Sequence, residues 1–131
     1  MTLFTKIIKG EIPSFKIAEN EKFYAFLDIN PLVEGHTLVI PKLEVDKFLD
    51  MPDSYLSEVL LFAKPIAYAI EKVFSCNRCG LSVVGLEVPH AHLHLVPLNT
   101  MDDINFSRKK LSPSKEDLRQ TQEKILAVLA Q

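Results

Sequence analysis

Histidine placement is the feature of this sequence that most directly suggests chemistry. The 131 residues contain four histidines: His90, His92 and His94 alternate along one short run, and His36 opens another strand-like run. Because successive side chains of a strand point to opposite faces, this spacing predicts three imidazole rings on one face, about 6.5–7 Å apart. A polar solvent-facing strand would more often carry Lys, Thr or Glu, so we interpret the row as a functional site.

Metal binding is one chemistry open to such a row. An imidazole nitrogen binds zinc at about 2.0–2.1 Å, and two histidines of one strand can share an ion with a third ligand from elsewhere. On a flat strand the outer two of the three rings would lie about 13 Å apart, so all three could not bind one ion. A metal-dependent hydrolase would therefore use a His-x-His pair together with His36 or a carboxylate.

Phosphoryl or nucleotidyl transfer, with histidine as the nucleophile, is the other chemistry. Imidazole titrates near neutral pH, so one neutral ring can attack while a neighbouring ring donates a proton. A row of rings also matches a row of phosphate oxygens and a leaving group. We favour this second hypothesis, and the residues alone leave both open.

The surrounding pattern predicts the elements that must position these histidines. It predicts a short helix at 3–10, strands at 15–19, 22–27, 36–40, 81–88 and 90–97, a long helix that opens at 52–54, and a last helix. Pro65 should kink or split the long helix, 77–80 should be a turn and 99–110 a loop. Ser114 and Asp117 resemble a capping box that opens the last helix. This order predicts an α+β fold with an antiparallel sheet.

Composition narrows the class of protein. The chain is 47% hydrophobic and 24% charged, which is typical of one globular domain spanning residues 1–131. A formal charge of −2 argues against nucleic acid or an anionic membrane as the main partner. We expect no transmembrane helix and no secretory signal, because no long apolar run occurs. Cys76 and Cys79 are expected as free thiols, and a reducing cytoplasm is the simplest setting for them.

Several ordered motifs resemble one family. The run HAHLHLV at residues 90–96 resembles the signature of the histidine-triad (HIT) family of nucleotide hydrolases and transferases. Further blocks agree with that family in the same order: FTKIIKGEIP at 4–13, FLDINP at 26–31, GHTLVIPK at 35–42 and GLEVP at 85–89. The resemblance covers about residues 3–98 and leaves a C-terminal loop and helix at 99–131. It implies a homodimer and a five-stranded antiparallel sheet with one long helix, a short N-terminal helix and a C-terminal helix.

The resemblance also implies an activity and a role for each site residue. It implies cleavage at the α-phosphate of a purine nucleotide conjugate, a phosphoramidate or a dinucleoside polyphosphate, with no cofactor or required metal. By position, His92 would be the nucleophile and would form a nucleotidyl-histidine intermediate, while His94 would contact the scissile-side oxygen and the leaving group. His90 would orient the His92 ring through its backbone carbonyl, and His36 would support the cluster. Asp28 would accept the ribose hydroxyls, and the other nucleotide-binding residues would be Ile12, Phe26, Ile29 and Asn30.

Some of these residues also have simpler interpretations. Asp28 could serve as a turn cap, because aspartate favours that position. The three apolar residues assigned to the base pocket, Ile12, Phe26 and Ile29, could instead pack in the core.

The phosphate-binding positions depart from the family. Leu86 stands where the family usually has a glutamine that helps hold the α-phosphate, and Leu98 stands where arginine is common. An asparagine usual a few residues before position 86 is also missing. The expected substitutes are Ser82, the Glu87 backbone, Asn99 or the loop at 99–110, whose basic run SRKK spans 107–110. A nucleotide-binding protein with weak or no turnover is therefore an alternative to the enzyme.

The N-terminal region departs as well. Some members of the family hold a structural zinc through two early cysteines and a later histidine. Thr2, Thr5 and Glu44 occupy those positions here, so we expect no zinc at that place.

Overall fold

A single antiparallel sheet organises the chain, and the computed structural model describes all residues, Met1–Gln131. The strands are β1 (Lys16–Glu19), β2 (Phe23–Leu27), β3 (Thr37–Pro41), β4 (Arg78–Ser82) and β5 (Leu93–Leu98). The helices are α1 (Leu3–Ile8), α2 (Asp53–Leu56), α3 (Val59–Phe74) and α4 (Lys115–Leu129), with 3-10 turns at Phe48–Asp50 and Met101–Ile104. The strands lie in the order β1-β2-β3-β5-β4, which confirms the predicted five-stranded α+β fold.

Both faces of the sheet are covered. Along β2, Phe23, Ala25 and Leu27 point into a core formed with α3 and α4, whereas Tyr24 and Phe26 point into a second cluster under α1. This alternation follows from the period of two along a strand. The sheet thus has a helical layer on one face and the short N-terminal helix on the other, where the histidines lie.

In the helical layer, the sequence predicts the start of α4 correctly but misplaces the break before α3. Helix α4 begins as predicted, since Ser114 Oγ accepts a hydrogen bond from the Asp117 N–H at 3.1 Å and Asp117 accepts from the Ser114 N–H. Of the two effects predicted for Pro65, a kink or a split, the split does not occur. The break falls earlier, at residues 57–58, and α3 continues through Pro65. Proline removes one backbone hydrogen bond, but Ala63 and Ile66 on either side are buried against the sheet and hold the helix there.

Strand β4 lies earlier than predicted. Residues 77–80 are not a turn, because β4 begins at Arg78, and 83–88 form a loop rather than a buried strand. Val83, Val84 and Leu86 in this loop are exposed. Apolar composition alone predicted burial, but β4 is an edge strand and the loop after it packs under no other layer.

Strand β5 begins later than predicted, at Leu93. The Ala91 N–H donates to the Val45 carbonyl at 2.7 Å, so residues 90–92 bond to the segment after β3 and not to the sheet ladder. His90 and His92 therefore precede the strand, whereas His94 lies within it, opposite Leu38 of β3.

One glycine fixes the approach to β3. Gly35 has φ +97°, and a Cβ atom built on it would lie 2.5 Å from the ring of Phe74. Any side chain here would meet both backbone strain and a clash, so glycine is required immediately before His36. No helix of the chain combines the length and the apolar character needed to cross a bilayer.

Candidate active site

Two of the three alternating histidines face a common cleft. The rings of His92 and His94 have their centroids 4.9 Å apart, and His36 lies 5.1 Å from His94. His36, His92 and His94 line the cleft, whereas His90 does not. His90 lies on the same side of the sheet, since the Phe4 ring meets both His90 at 5.7 Å and His92 at 5.2 Å, but the His90 ring is completely buried and does not line the cleft.

Backbone contact fixes the protonated nitrogen of His92. Its Nδ1 lies 2.7 Å from the His90 carbonyl oxygen, which can only accept, so Nδ1 carries the proton and donates. In the neutral ring the Nε2 atom then keeps its lone pair. His92 thus presents an unprotonated nitrogen on the side of the ring away from His90, which is the form that a nucleophilic imidazole needs.

A second chain of hydrogen bonds orients His94. The Leu32 N–H donates to His36 Nδ1 at 3.1 Å, so neutral His36 carries its proton on Nε2. That nitrogen lies 2.9 Å from His94 Nδ1 and donates to it. Neutral His94 must then carry its proton on Nε2. The pair His92 and His94 therefore offers the cleft one acceptor nitrogen and one donor nitrogen.

Burial keeps this second chain uncharged. It lowers the pKa of His36 to about 4 and that of His94 to about 3, because a charged ring loses its hydration in the interior. Both rings are therefore neutral at pH 7. The assignment of donors and acceptors above requires that neutral state.

His90 is held from behind the cleft. Its Nε2 donates to the Pro41 carbonyl at 2.8 Å, and its Nδ1 accepts from Thr2 Oγ1 at 2.8 Å. Thr5 Oγ1 donates to Glu44 at 2.6 Å, and the Thr2 N–H donates to the same carboxylate oxygen. Thr2, Thr5 and Glu44, the positions at which we expect no zinc, therefore form one hydrogen-bonded group with His90.

Asp28 caps a turn and also lies beside the histidines. Its Oδ1 accepts the Asn30 N–H at 2.9 Å, which caps the turn after β2, while its Oδ2 lies 3.8 Å from His36 Nε2. Burial raises the pKa of this carboxyl, and the Asn30 N–H and the Lys110 ammonium partly offset that effect. One carboxylate oxygen is therefore used by the fold, and the other lies beside the histidines.

An apolar cavity of about 350 Å³ adjoins His92 and His94. The four residues that the sequence assigned to nucleotide binding beside Asp28 all line it: Ile12, Phe26, Ile29 and Asn30. Phe26 is also buried in the cluster under α1 and therefore packs in the core, whereas Ile29 is exposed and is not a core residue. Sequence reasoning missed Phe4, whose ring meets the edge of His92 at 5.2 Å. A helical apolar position carries no signal that separates core from cleft.

A second cavity, of about 270 Å³, lies on the other side of the same histidines. Phe106, Ser107 and Lys110 of the C-terminal loop line it. Neither Ser82 nor Asn99, two of the expected substitutes, lines either cavity, and the Leu86 side chain is exposed. The loop at 99–110 is therefore the source of new side chains at this site.

The cleft also contains one set of possible metal ligands. Ligand atoms of Asp28, His36 and His94 lie within 4.8 Å of one another. This set differs from the predicted His-x-His pair with His36, since His92 is not part of it. The His36 and His94 nitrogens in the set already bond to each other, so an ion would have to displace that hydrogen bond.

Acid should destabilise the protein through these buried rings. His36 and His94 have folded-state pKa values of about 4 and about 3, below the value of 6.5 for the free side chain, so the unfolded chain binds more protons below pH 6.5. Their stabilisation is complete above pH 6.5 and is lost as the pH falls. We expect urea unfolding to give a free energy of unfolding roughly 2–4 kcal/mol lower at pH 5 than at pH 8, at about 1.4 kcal/mol per pH unit for each ring.

Burial also lowers the pKa of His90. The matched variant for this measurement is His94→Asn, which removes one of the two rings with the larger pKa shifts. It should reduce the pH dependence by about half in this window. The raised pKa of Asp28 acts in the opposite direction and limits the loss. An unfolding free energy that stays constant from pH 8 to 5 in the wild type would contradict the neutral, buried state of these rings.

The sequence matches one family model and is similar to known proteins. The sequence model of the HIT domain matches residues 9–101. The chain is 44% identical over 96 residues to a Saccharomyces cerevisiae protein named adenosine 5′-monophosphoramidase HNT1, a match that covers 72% of this chain and 61% of that protein. It is 40% identical over 113 residues to an uncharacterised HIT-like protein of Borreliella burgdorferi, with 81% of each chain covered.

Solved structures agree with the sequence comparison. A HIT-like protein from Bartonella henselae, described as involved in cell-cycle regulation, superposes with a TM-score of 0.84 at 30% identity, and the match covers 97% of this chain and 95% of that one. A histidine triad nucleotide-binding protein from Candida albicans superposes with a TM-score of 0.68 at 35% identity and covers 99% and 98%.

Proposed function

The chain belongs to the HIT domain family, and on that premise we propose that it is a hydrolase that cleaves purine nucleotide conjugates at the α-phosphate. The observation that carries this proposal is the pairing of an acceptor nitrogen on His92 with a donor nitrogen on His94 in one cleft. A nucleophile and a hydrogen-bond donor for the leaving side are the two groups that such a transfer needs.

The proposed reaction proceeds in two steps. The Nε2 lone pair of His92 attacks the α-phosphorus, and the bond from phosphorus to the leaving nitrogen or oxygen breaks with its electron pair. The leaving atom takes up a proton, with the His94 Nε2–H donating a hydrogen bond on that side. Water then attacks the nucleotidyl-histidine, Nε2 regains its electron pair, and one proton is released together with the nucleoside monophosphate.

Nucleotide binding is supported by the cavity on the Asp28 side. Its apolar lining suits a flat base, and the free Asp28 oxygen suits a pair of ribose hydroxyls. The resemblance to an adenosine 5′-monophosphoramidase favours adenosine as the nucleoside and a phosphoramidate as the conjugate. These are the substrate and the purine preference that we propose.

Incubation with adenosine 5′-phosphoramidate tests the proposal. We expect release of AMP, measured by phosphorus NMR or anion-exchange chromatography, at the same rate with and without a chelator, because no step requires a metal. Diadenosine polyphosphate serves as the second substrate in the same assay. Turnover that appears only after a divalent metal is added would favour a metal-dependent hydrolase built on Asp28, His36 and His94. Saturable AMP binding with no product from either substrate would favour a binding protein.

A homodimer is part of the proposal, with a second copy of the chain as the partner. Strand β4 has one unpaired edge, and next to it α3 exposes Leu60, Leu61 and Tyr68. An unpaired edge beside exposed apolar side chains is a surface that a second chain can cover. Sedimentation equilibrium of the purified protein measures this association.

A further inference from the structure

The boundary between the two cavities is where a phosphate attacked by His92 must lie. Five residues line both cavities: Asp28, Glu87, His92, His94 and Lys110. On one side of these residues lies the apolar cavity proposed for the base, and on the other side lies the cavity lined by Phe106 and Ser107. Among the Lys and Arg residues, only Lys110 lines either cavity, and it does so at this boundary.

The C-terminal loop holds Lys110 in place from both sides. Two residues before it, Arg108 Nη2 donates to the Leu32 carbonyl at 2.7 Å, and Arg108 Nη1 donates to the Asp102 carbonyl at 2.9 Å. Immediately after it, the Leu111 N–H donates to the Pro31 carbonyl at 2.9 Å. Lys110 thus sits on a segment tied to the turn after β2, near Asp28, and its stem starts from a fixed position.

Packing against the histidines strengthens this placement. The Phe106 ring lies 4.7 Å from the His94 ring and 6.3 Å from the His36 ring, both in edge arrangements. The loop therefore forms a wall of the cleft rather than a solvated strap. A side chain on this wall meets whatever occupies the space in front of His94.

The charges around Lys110 leave it free to exchange partners. Its Nζ lies 3.7 Å from Glu87 Oε1, and the Glu87 side chain is 83% exposed. An exposed ion pair of this length contributes little stability, so the ammonium can leave Glu87 for a phosphate oxygen. The ammonium already contributes to the pKa values of Asp28, His36 and His94, which places its charge within reach of the reacting groups.

We propose that Lys110 is a catalytic residue that binds the α-phosphate, taking the place of the polar side chains absent at positions 86 and 98. The proposal rests on the proposed function, because it assumes a nucleotide in the cleft. When the nucleotide binds, the ammonium exchanges the Glu87 carboxylate for a non-bridging phosphate oxygen. It then stabilises the negative charge on that phosphate as His92 attacks.

Binding without turnover separates this proposal from the proposed function. We expect Lys110→Met to weaken AMP binding by about 10–100-fold, as a charge-assisted hydrogen bond would, and to leave adenosine binding unchanged because adenosine has no phosphate. Calorimetry with AMP and with adenosine measures both. Lys109→Met is the matched control, since Lys109 is exposed and lines neither cavity, and it should leave both affinities within about twofold.

Removal of the competing carboxylate tests the exchange of partners. We expect Glu87→Gln to tighten AMP binding a few-fold in the wild-type background and much less in the Lys110→Met background, which is a coupling that a double-mutant cycle detects. In the hydrolysis assay, Lys110→Met should lower kcat/KM by a similar factor for phosphoramidate and dinucleoside polyphosphate.

Three results would overturn the proposal. One is AMP affinity unchanged by Lys110→Met. Another is an equal loss of AMP and adenosine binding, which would mean that the residue only supports the fold. The third is a loss confined to the polyphosphate substrate, which would place the ammonium on the leaving group. The first two results are binding measurements, so they do not depend on whether the protein turns over a phosphoramidate.

Discussion

Replacement of His92 by alanine is expected to abolish AMP release, with kcat reduced by at least about 10³–10⁴-fold. The reason is that no other group in the cleft offers a lone pair in the same position. The His94 nitrogen on the cleft side carries a proton, His36 uses both ring nitrogens in hydrogen bonds, and His90 does not line the cleft. AMP affinity should change only a few-fold, because Asp28 and the apolar lining remain.

Two measurements make this result specific. Mass spectrometry after rapid acid-free quenching should detect a nucleotidylated wild-type protein and no adduct on the His92→Ala chain. The second variant is His92→Asn, whose amide can still donate to the His90 carbonyl and fills part of the space beside Phe4. It should be as inactive as alanine but closer to wild type in unfolding free energy. Turnover of either variant at the wild-type rate would refute the covalent mechanism.

The sequence predicted the part of the site that local pattern controls. Leu93 and Leu95 lie in the core and His94 lies on the opposite side of β5, as alternation along a strand requires. The ordered motifs predicted the fold because each corresponds to an element or turn that is present, such as Asp28 in the turn after β2. These features depend on residues close together in the chain.

The features that the sequence could not predict, such as the burial of His90 behind the cleft, depend on contacts between distant segments. The position of His90 is decided by Thr2, the Pro41 carbonyl and the hydrogen bond from Ala91 to Val45, none of which alters the pattern of residues 90–96. The tautomers of His36 and His94 depend on one backbone N–H, at Leu32. Hydrogen bonds to main-chain groups cannot be predicted from residue types, because every non-proline residue has an N–H and every residue has a carbonyl.

Lys110 is a residue that the sequence alone could not single out as functional. In the sequence it belongs to a basic run that a solvated loop would equally carry. What distinguishes it is the pair of anchors at Arg108 and Leu111, which direct the loop onto the cleft. A side chain brought to a site by tertiary structure can be found only when that structure is known.

Asp28→Asn is expected to lower kcat/KM for the adenosine conjugate by about 10²–10³-fold. Each hydrogen bond from a ribose hydroxyl to a charged carboxylate is worth about 1.5–3 kcal/mol, and the proposed binding mode has two of them. Asparagine removes the charge but keeps an oxygen that can accept the Asn30 N–H, so the turn after β2 should persist. The unfolding free energy should therefore change little.

The discriminating comparison uses a conjugate that lacks both ribose hydroxyls. Wild-type protein should prefer the ribose conjugate by about the same 10²–10³-fold, and the Asp28→Asn variant should lose most of that preference. Protonation of Asp28 should lower wild-type activity in acid. Because burial raises the pKa of Asp28, this loss should begin at a pH above the ordinary range for aspartate, and it should disappear in the Asp28→Asn variant. If the variant instead loses stability and slows both conjugates equally, Asp28 acts only as the cap of its turn, and the ribose must bind elsewhere in the cleft.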